Sequence, residues 1–216
     1  MDNRTLSPSE IKEMLISVSD IIIQNESLLS EADRKLGDGD HGLGMQRGFT
    51  AAKAQLQTLE PKDVGEVFTT TGMALMASMG GASGAVMGML FQSGGMSLTQ
   101  LETMDAPALS TFLTAAYEGV TNLGGAKPGD KTMVDALIGA KEAAEASKEK
   151  TTIAAFAAVA AGAEAGMEKT KDMIATMGRA KTLGEKSLGH PDPGAISVSI
   201  IFRAMSDFIS SSPLQQ

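Results

Sequence analysis

The chain has 216 residues, a net charge of −8 and 43% hydrophobic residues, with no Cys and no Trp. That length fits one domain, and the composition is that of a folded globule and not a disordered chain. The acidic balance argues against a nucleic-acid binder, and the lack of Cys excludes disulfides and thiolate metal sites.

The opening MDNRTLSPSE shows no basic-then-apolar leader pattern. The longest apolar stretch, Ile153 to Ala163, falls short of the roughly 18 residues a membrane span needs. A cytoplasmic protein without membrane contact is expected. Ser7-Pro8-Ser9-Glu10 reads as a helix start, with Ser7 as cap and Glu10 completing a capping box. Ile11, Met14, Leu15, Val18, Ile21 and Ile22 then recur at helical spacing, fading near Asn25. A short helical piece is predicted from Leu28 to Lys35, and a longer helix from about Leu43 to Leu59, closed by Pro61. Asp63 can cap the next helix, which carries Val64, Val67, Phe68 and Leu75.

A helix follows the break at Gly80-Gly81-Ala82-Ser83-Gly84, with Gly84 and Gly88 on one face. Glycine inside a helix costs about 1 kcal/mol against Ala, and close approach of a neighbouring helix is the simplest reason for it. Asp105 can cap a helix ending near Gly124-Gly125. Further helices are predicted from about Lys131 to Ser147, from Thr151 to Met177, and from Gly194 to about Ile209. No run alternates as a strand would, and no long linker divides the chain. Residues 1–216 are therefore expected to form a single all-α domain of about eight helices, its core filled by Leu, Ile, Val, Met and Ala.

The loops between these helices carry the chemistry. Asp33, Asp38 and Asp40 place three carboxylates within eight residues, which repel one another unless a cation sits among them. Mg²⁺ takes such oxygen ligands together with substrate phosphates. The alternative is a solvated Asx-type turn. Gly37-Asp38-Gly39-Asp40-His41-Gly42 matches G-x-G-x-x-G in letters only, because no strand precedes it and two Asp would repel a bare pyrophosphate. The EF-hand pattern also fails, since Gly42 stands where a third Asp or Asn belongs. Gly80 to Gly84 opens a helix and suits either an anion site or plain capping and close packing. Pro128-Gly129-Asp130-Lys131-Thr132-Met133 reads as a turn and helix start. Gly178-Arg179-Ala180-Lys181 and Glu185-Lys186 bring scarce positive charge into a glycine-rich loop, and Gly189-His190-Pro191-Asp192-Pro193-Gly194 could close a pocket before the last helix. Both histidines, His41 and His190, lie in glycine-rich breaks.

Taken in order, the stretches LGDGDHGLGMQRGF, GGASGAVMGMLF, PGDKTMVDAL and GRAKTLGEKSLGHPDPGA resemble the nucleotide-binding L subunits of the dihydroxyacetone kinase family. The resemblance implies a closed barrel of eight antiparallel helices with the nucleotide at one end, an arrangement periodicity does not show. It implies that Asp33, Asp38 and Asp40 are Mg²⁺ ligands. It implies ADP or ATP contacts at His41, Gly42, Leu43, Gly44, Ala82, Ser83, Gly124, Met133, Asp192, Pro193 and Gly194. Arg179 corresponds to a nucleotide-contacting arginine and is the candidate catalytic residue. The implied partner is a K subunit that holds a small ketone. The donor is free ATP or, in one branch of the family, a phosphotransferase-system protein that rephosphorylates bound ADP.

There are departures from the family pattern. Gly44 stands where an Asn is familiar, Ala85 where a Pro is, and Lys186 where an Arg is. The last change loses a bidentate fork. A noncatalytic nucleotide-binding module that regulates a partner is the alternative, and the three intact Asp residues favour the kinase.

Overall fold

A computed structural model describes residues 4–211; the first residues of the opening stretch and the tail lie outside this range. Nine α-helices occur among the described residues: α1 (Pro8–Gln24), α2 (Glu26–Leu36), α3 (His41–Thr58), α4 (Val64–Ser78) and α5 (Gly81–Met96) are followed by α6 (Ala106–Gly124), α7 (Met133–Glu145), α8 (Thr152–Lys169) and α9 (Pro193–Ser211). Short 3-10 turns cover Thr170–Asp172 and Ala180–Ser187.

The helix starts follow local chemistry. The Ser7 hydroxyl accepts from Glu10 N at 3.3 Å, and Ser7 N donates to Glu10 Oε2 at 2.9 Å, which is the capping box read from the sequence. Asp63 and Asp105 cap α4 and α6 by accepting from Glu66 N and Ala108 N at 2.8 and 2.9 Å. Where the sequence suggests a helix beginning at Leu43, α3 already begins at His41. The helix expected to reach Met177 ends at Lys169. There the Thr170 hydroxyl donates back to Met167 O at 2.6 Å, the Thr170 carbonyl accepts from Lys131 Nζ, and Met173 turns extended.

Neighbouring helices close a ring. α1 packs on α3, α3 on α4, and so on in order through α9, which returns to α1; α2 lies outside against α3. The ring gives the eight-helix barrel, with α2 as a ninth, peripheral helix. α3, α5, α7 and α9 all begin at one cavity, while α4 ends beside it at Met79, so neighbours run in opposite directions. Close approach accounts for Gly88 on α5: a Cβ there would lie 2.7 Å from the Gly72 carbonyl oxygen of α4. Six of the seven Phe are fully buried, including Phe68 and Phe112 with ring centroids 4.5 Å apart. The aliphatic core expected from composition is therefore built around a few well-placed rings. Leu6 and Met104 exchange backbone bonds of 2.8 Å in an isolated bridge, which ties the first described residues to the α5–α6 connection.

Candidate functional site

Four helix N-termini converge on one cavity of about 500 Å³. α3 contributes His41 and Gly44, α5 contributes Gly81, Ala82 and Ser83, α7 contributes Met133, and α9 contributes Pro193 and Gly194. All four termini present the positive end of a helix dipole, and the first turns of α3 and α5 add N–H groups, whereas Thr132 and Asp192 already accept from Val134 N and Ala195 N at the starts of α7 and α9. Together they make a site for an anion with several oxygens, such as a polyphosphate. Gly80, at φ 78, and Gly81, at φ 64, form the turn from α4 into α5. Val86, Met87 and Met133 add apolar surface suited to a flat ring.

The acidic cluster stands on the rim. One carboxylate oxygen from each of Asp33, Asp38 and Asp40 lies within 4.8 Å of the others. Asp33, on the last turn of α2, is held by the loop it faces: its Oδ2 accepts from Gly39 N at 2.9 Å and from His41 N at 3.2 Å. Asp38 and Asp40 are exposed. Arg179 reaches across from the loop before residues 180–187, pairs with Asp38 and lies 3.7 Å from Asp40. Three hard oxygen donors with open sides fit Mg²⁺.

The inner wall is less exposed. His41 Nε2 lies 2.8 Å from Ser197 Oγ, which in turn donates to Pro193 O at 3.1 Å. Burial pushes the His41 imidazole below its usual pKa, against the pull of the Asp33 carboxylate. Asp192 caps α9, accepting from Ala195 N at 2.8 Å. Burial raises its pKa to about 7, with Asp135 adding repulsion. Lys131, only 1% exposed, lies in the same wall, and burial lowers its pKa against the attraction of Asp192, Asp172 and Asp135.

Most of the residues singled out in the sequence meet here. Three do not line the cavity with side chains. Gly42 is packed against α2, where an added Cβ would meet Ser30 N at 2.6 Å. Leu43 is exposed. Both occupy the first turn of α3, so only their backbone amides can serve an anion. Gly124 lies behind Val86 at the end of α6. Sequence reasoning passed over Lys131, Thr132 and Arg47, which also line the cavity. Arg47 sits one turn after Gly44 and donates to Met79 O at 2.9 Å. Its position on the helix face that carries Gly44 was a usable signal. Lys131, inside an ordinary turn sequence, gave none.

A barrel of helices whose N-termini gather around a carboxylate cluster defines a phosphate-handling class of protein. The chain belongs to the DAK2 domain family, which it matches over residues 35–207. It is 38% identical over 182 residues to the ADP-binding subunit DhaL of PEP-dependent dihydroxyacetone kinase 1 of Listeria innocua, with 84% of this chain and 87% of the relative covered. It is 36% identical to the corresponding subunit DhaL of Escherichia coli, with 93% of this chain and 97% of the relative covered. The crystal structure of the dihydroxyacetone kinase of C. freundii superposes with a TM-score of 0.71 at 28% identity. That match covers 96% of this chain but 36% of the longer one. A second structure of the same kinase, in complex with AMP-PNP and Mg²⁺, also has a TM-score of 0.71.

Proposed function

We propose that this chain is the nucleotide-binding subunit of a dihydroxyacetone or similar short-ketose kinase. It presents a phosphoryl group to a ketone held by a separate K subunit. The observation that carries the reading is the convergence of four helix N-termini and three carboxylates on one cavity. The names of the relatives support the kinase over a regulatory module. The closed ring supports treating the described residues 4–211 as one nucleotide-binding unit.

Asp33, Asp38 and Asp40 would hold Mg²⁺. Bound there, Mg²⁺ would neutralise phosphate oxygens and the charge that builds during transfer. The first-turn amides of α3 and α5, with the Ser83 hydroxyl, donate to the phosphates. Val86, Met87 and Met133 receive the base, and Gly124 supports Val86 from behind. Asp192, Pro193 and Gly194 close the inner side. Arg179 contacts the transferring group, and the pairing with Asp38 and Asp40 shows that its side chain reaches the rim.

Relatives that match along most of their length are named PEP-dependent or, in Lactococcus lactis, PTS-dependent subunits, whereas the L-erythrulose 1-kinase of Mycolicibacterium smegmatis is matched over 35% of its length. This favours ADP kept in place and rephosphorylated by a phosphotransferase-system protein over free exchange of ATP. Mass analysis of nucleotide retained through purification tests the donor scheme: retained ADP that added ATP fails to displace is expected, and ready exchange overturns it. Calorimetry with ADP, with and without EDTA, tests the metal. Affinity should collapse in EDTA and in Asp38→Asn, with helical content intact. Equal affinity in both conditions sinks the metal assignment.

A further inference from the structure

We propose that Lys131 is a positioning residue for the nucleotide site, its buried ammonium fastening the 189–194 loop to the end of α8 and so setting the first turn of α9 against the cavity. The inference rests on the nucleotide reading above. Lysine is almost never fully buried unless its charge is met. Here Nζ donates to two backbone carbonyls, Thr170 O and His190 O, the second at 2.6 Å. Those carbonyls belong to different segments, 39 and 59 residues along the chain. An ammonium with three donors can satisfy both at one point, which no neutral aliphatic side chain can.

Further bonds reinforce this junction. The Thr170 hydroxyl accepts from Asp192 N at 2.9 Å, and Gly189 N donates to Lys171 O at 2.8 Å. The 189–194 loop is thus pinned to residues 170–171 on both sides of His190. Asp192 then caps α9 through Ala195 N. Asp135, Asp172 and Asp192 are the carboxylates that face the ammonium. The backbone adds a separate sign. Lys131 stands at φ 60, a region non-glycine residues seldom enter, beside Gly129 at φ 95. Glycine would adopt that turn without strain, so the turn alone does not explain a lysine here. Because Lys131 itself lines the cavity, loss of the junction moves the wall that Asp192, Pro193 and Gly194 form.

The test uses the full chain with ADP and Mg²⁺. Lys131→Met keeps the side-chain length and removes the ammonium. Lys131→Gly relaxes the backbone and also removes it. Both should weaken ADP binding by about tenfold or more, a common size for coupling between sites. Hydrogen exchange should rise first at residues 189–194, while amides around the Leu6–Met104 bridge keep their protection. Wild-type ADP affinity in either variant overturns the proposal, as does a uniform rise in exchange across all helices. If neither variant folds, Thr170→Val removes the acceptor for Asp192 N at nearly constant volume. It should open the same loop and weaken ADP binding by a smaller factor, and unchanged affinity there overturns the proposal. Failure of the wild-type chain to bind ADP would instead remove the nucleotide reading.

Discussion

Arg179 is 62% exposed at its side chain, yet it is pulled onto two carboxylates of the cluster. Exposed ion pairs contribute little to stability, typically under about 1 kcal/mol. Arg179→Ala should therefore leave the melting temperature of the nucleotide-free chain within a few degrees. It should lower ADP affinity or turnover with the K subunit by at least about tenfold, or about 1.4 kcal/mol. A large loss of stability with normal turnover would make the residue structural. Asp192 behaves in the opposite way because its carboxyl, on a half-buried residue, is turned away from solvent. Its carboxyl stays protonated in the fold up to a pH of about 7, whereas in the unfolded chain it ionises near 3.8. Between those values the folded chain binds more protons, so stability falls as pH rises. Lys131 opposes this effect and Asp135 adds to it. Asp192→Asn removes this slope and keeps an acceptor for Ala195 N. Its melting temperature should gain on the wild type between about pH 4 and about pH 8. A constant difference across that range would show that Asp192 is ionised throughout.

At the level of elements, the caps are the most local determinants. Asp63 accepts from Glu66 N with Oδ1 and from Gln100 N with Oδ2 at 2.9 Å, so it caps α4 and also holds the turn after α5, where Gln100 stands at φ 67. Asp63→Ala should cost about 1–2 kcal/mol, at the upper end for a lost N-cap. Urea unfolding should show an earlier midpoint at unchanged slope, and no shift would mean that water replaces both bonds. The starts of α1, α4 and α6 were legible because Ser7, Asp63 and Asp105 act within three residues of themselves. The end of α8 was not. No Gly or Pro follows Lys169 until Gly178, and what stops the helix is a lysine 39 residues earlier together with the Asp192 backbone. The site divides along the same line. The three Asp could be found by spacing, because the loop that gathers them is short. The junction at Lys131 is built from carbonyls, which leave no trace in side-chain identity.

For the whole molecule, a nucleotide site is not a complete ketone kinase. Another cavity, at Ser110, Thr111, Thr114 and Glu145, lies toward the start of α6 and the end of α7, away from the cluster. It cannot place a substrate hydroxyl in line with a phosphoryl group bound among Asp33, Asp38 and Asp40. The chain alone, given ATP, Mg²⁺ and dihydroxyacetone, should form no phosphorylated product above background, and a cognate K subunit should restore turnover. Robust activity without a partner would end the two-component reading.

The closed ring has a consequence for how the chain reaches its working state. α9 supplies both the last wall of the barrel and, through Pro193 and Gly194, one side of the cavity, and Arg4 donates to Ile209 O across 205 residues of sequence. Contacts so distant along the chain form late, because loop closure opposes them until the rest is in place. The capacity to bind nucleotide should therefore emerge in the slowest refolding phase, after most helical signal has returned. Stopped-flow circular dichroism alongside a fluorescent ADP analogue would separate the two events, and their simultaneous appearance would mean that the ring closes early. A chain still lacking its final helix during synthesis would carry the acidic cluster but could not engage nucleotide, so ligand occupancy marks a completed molecule.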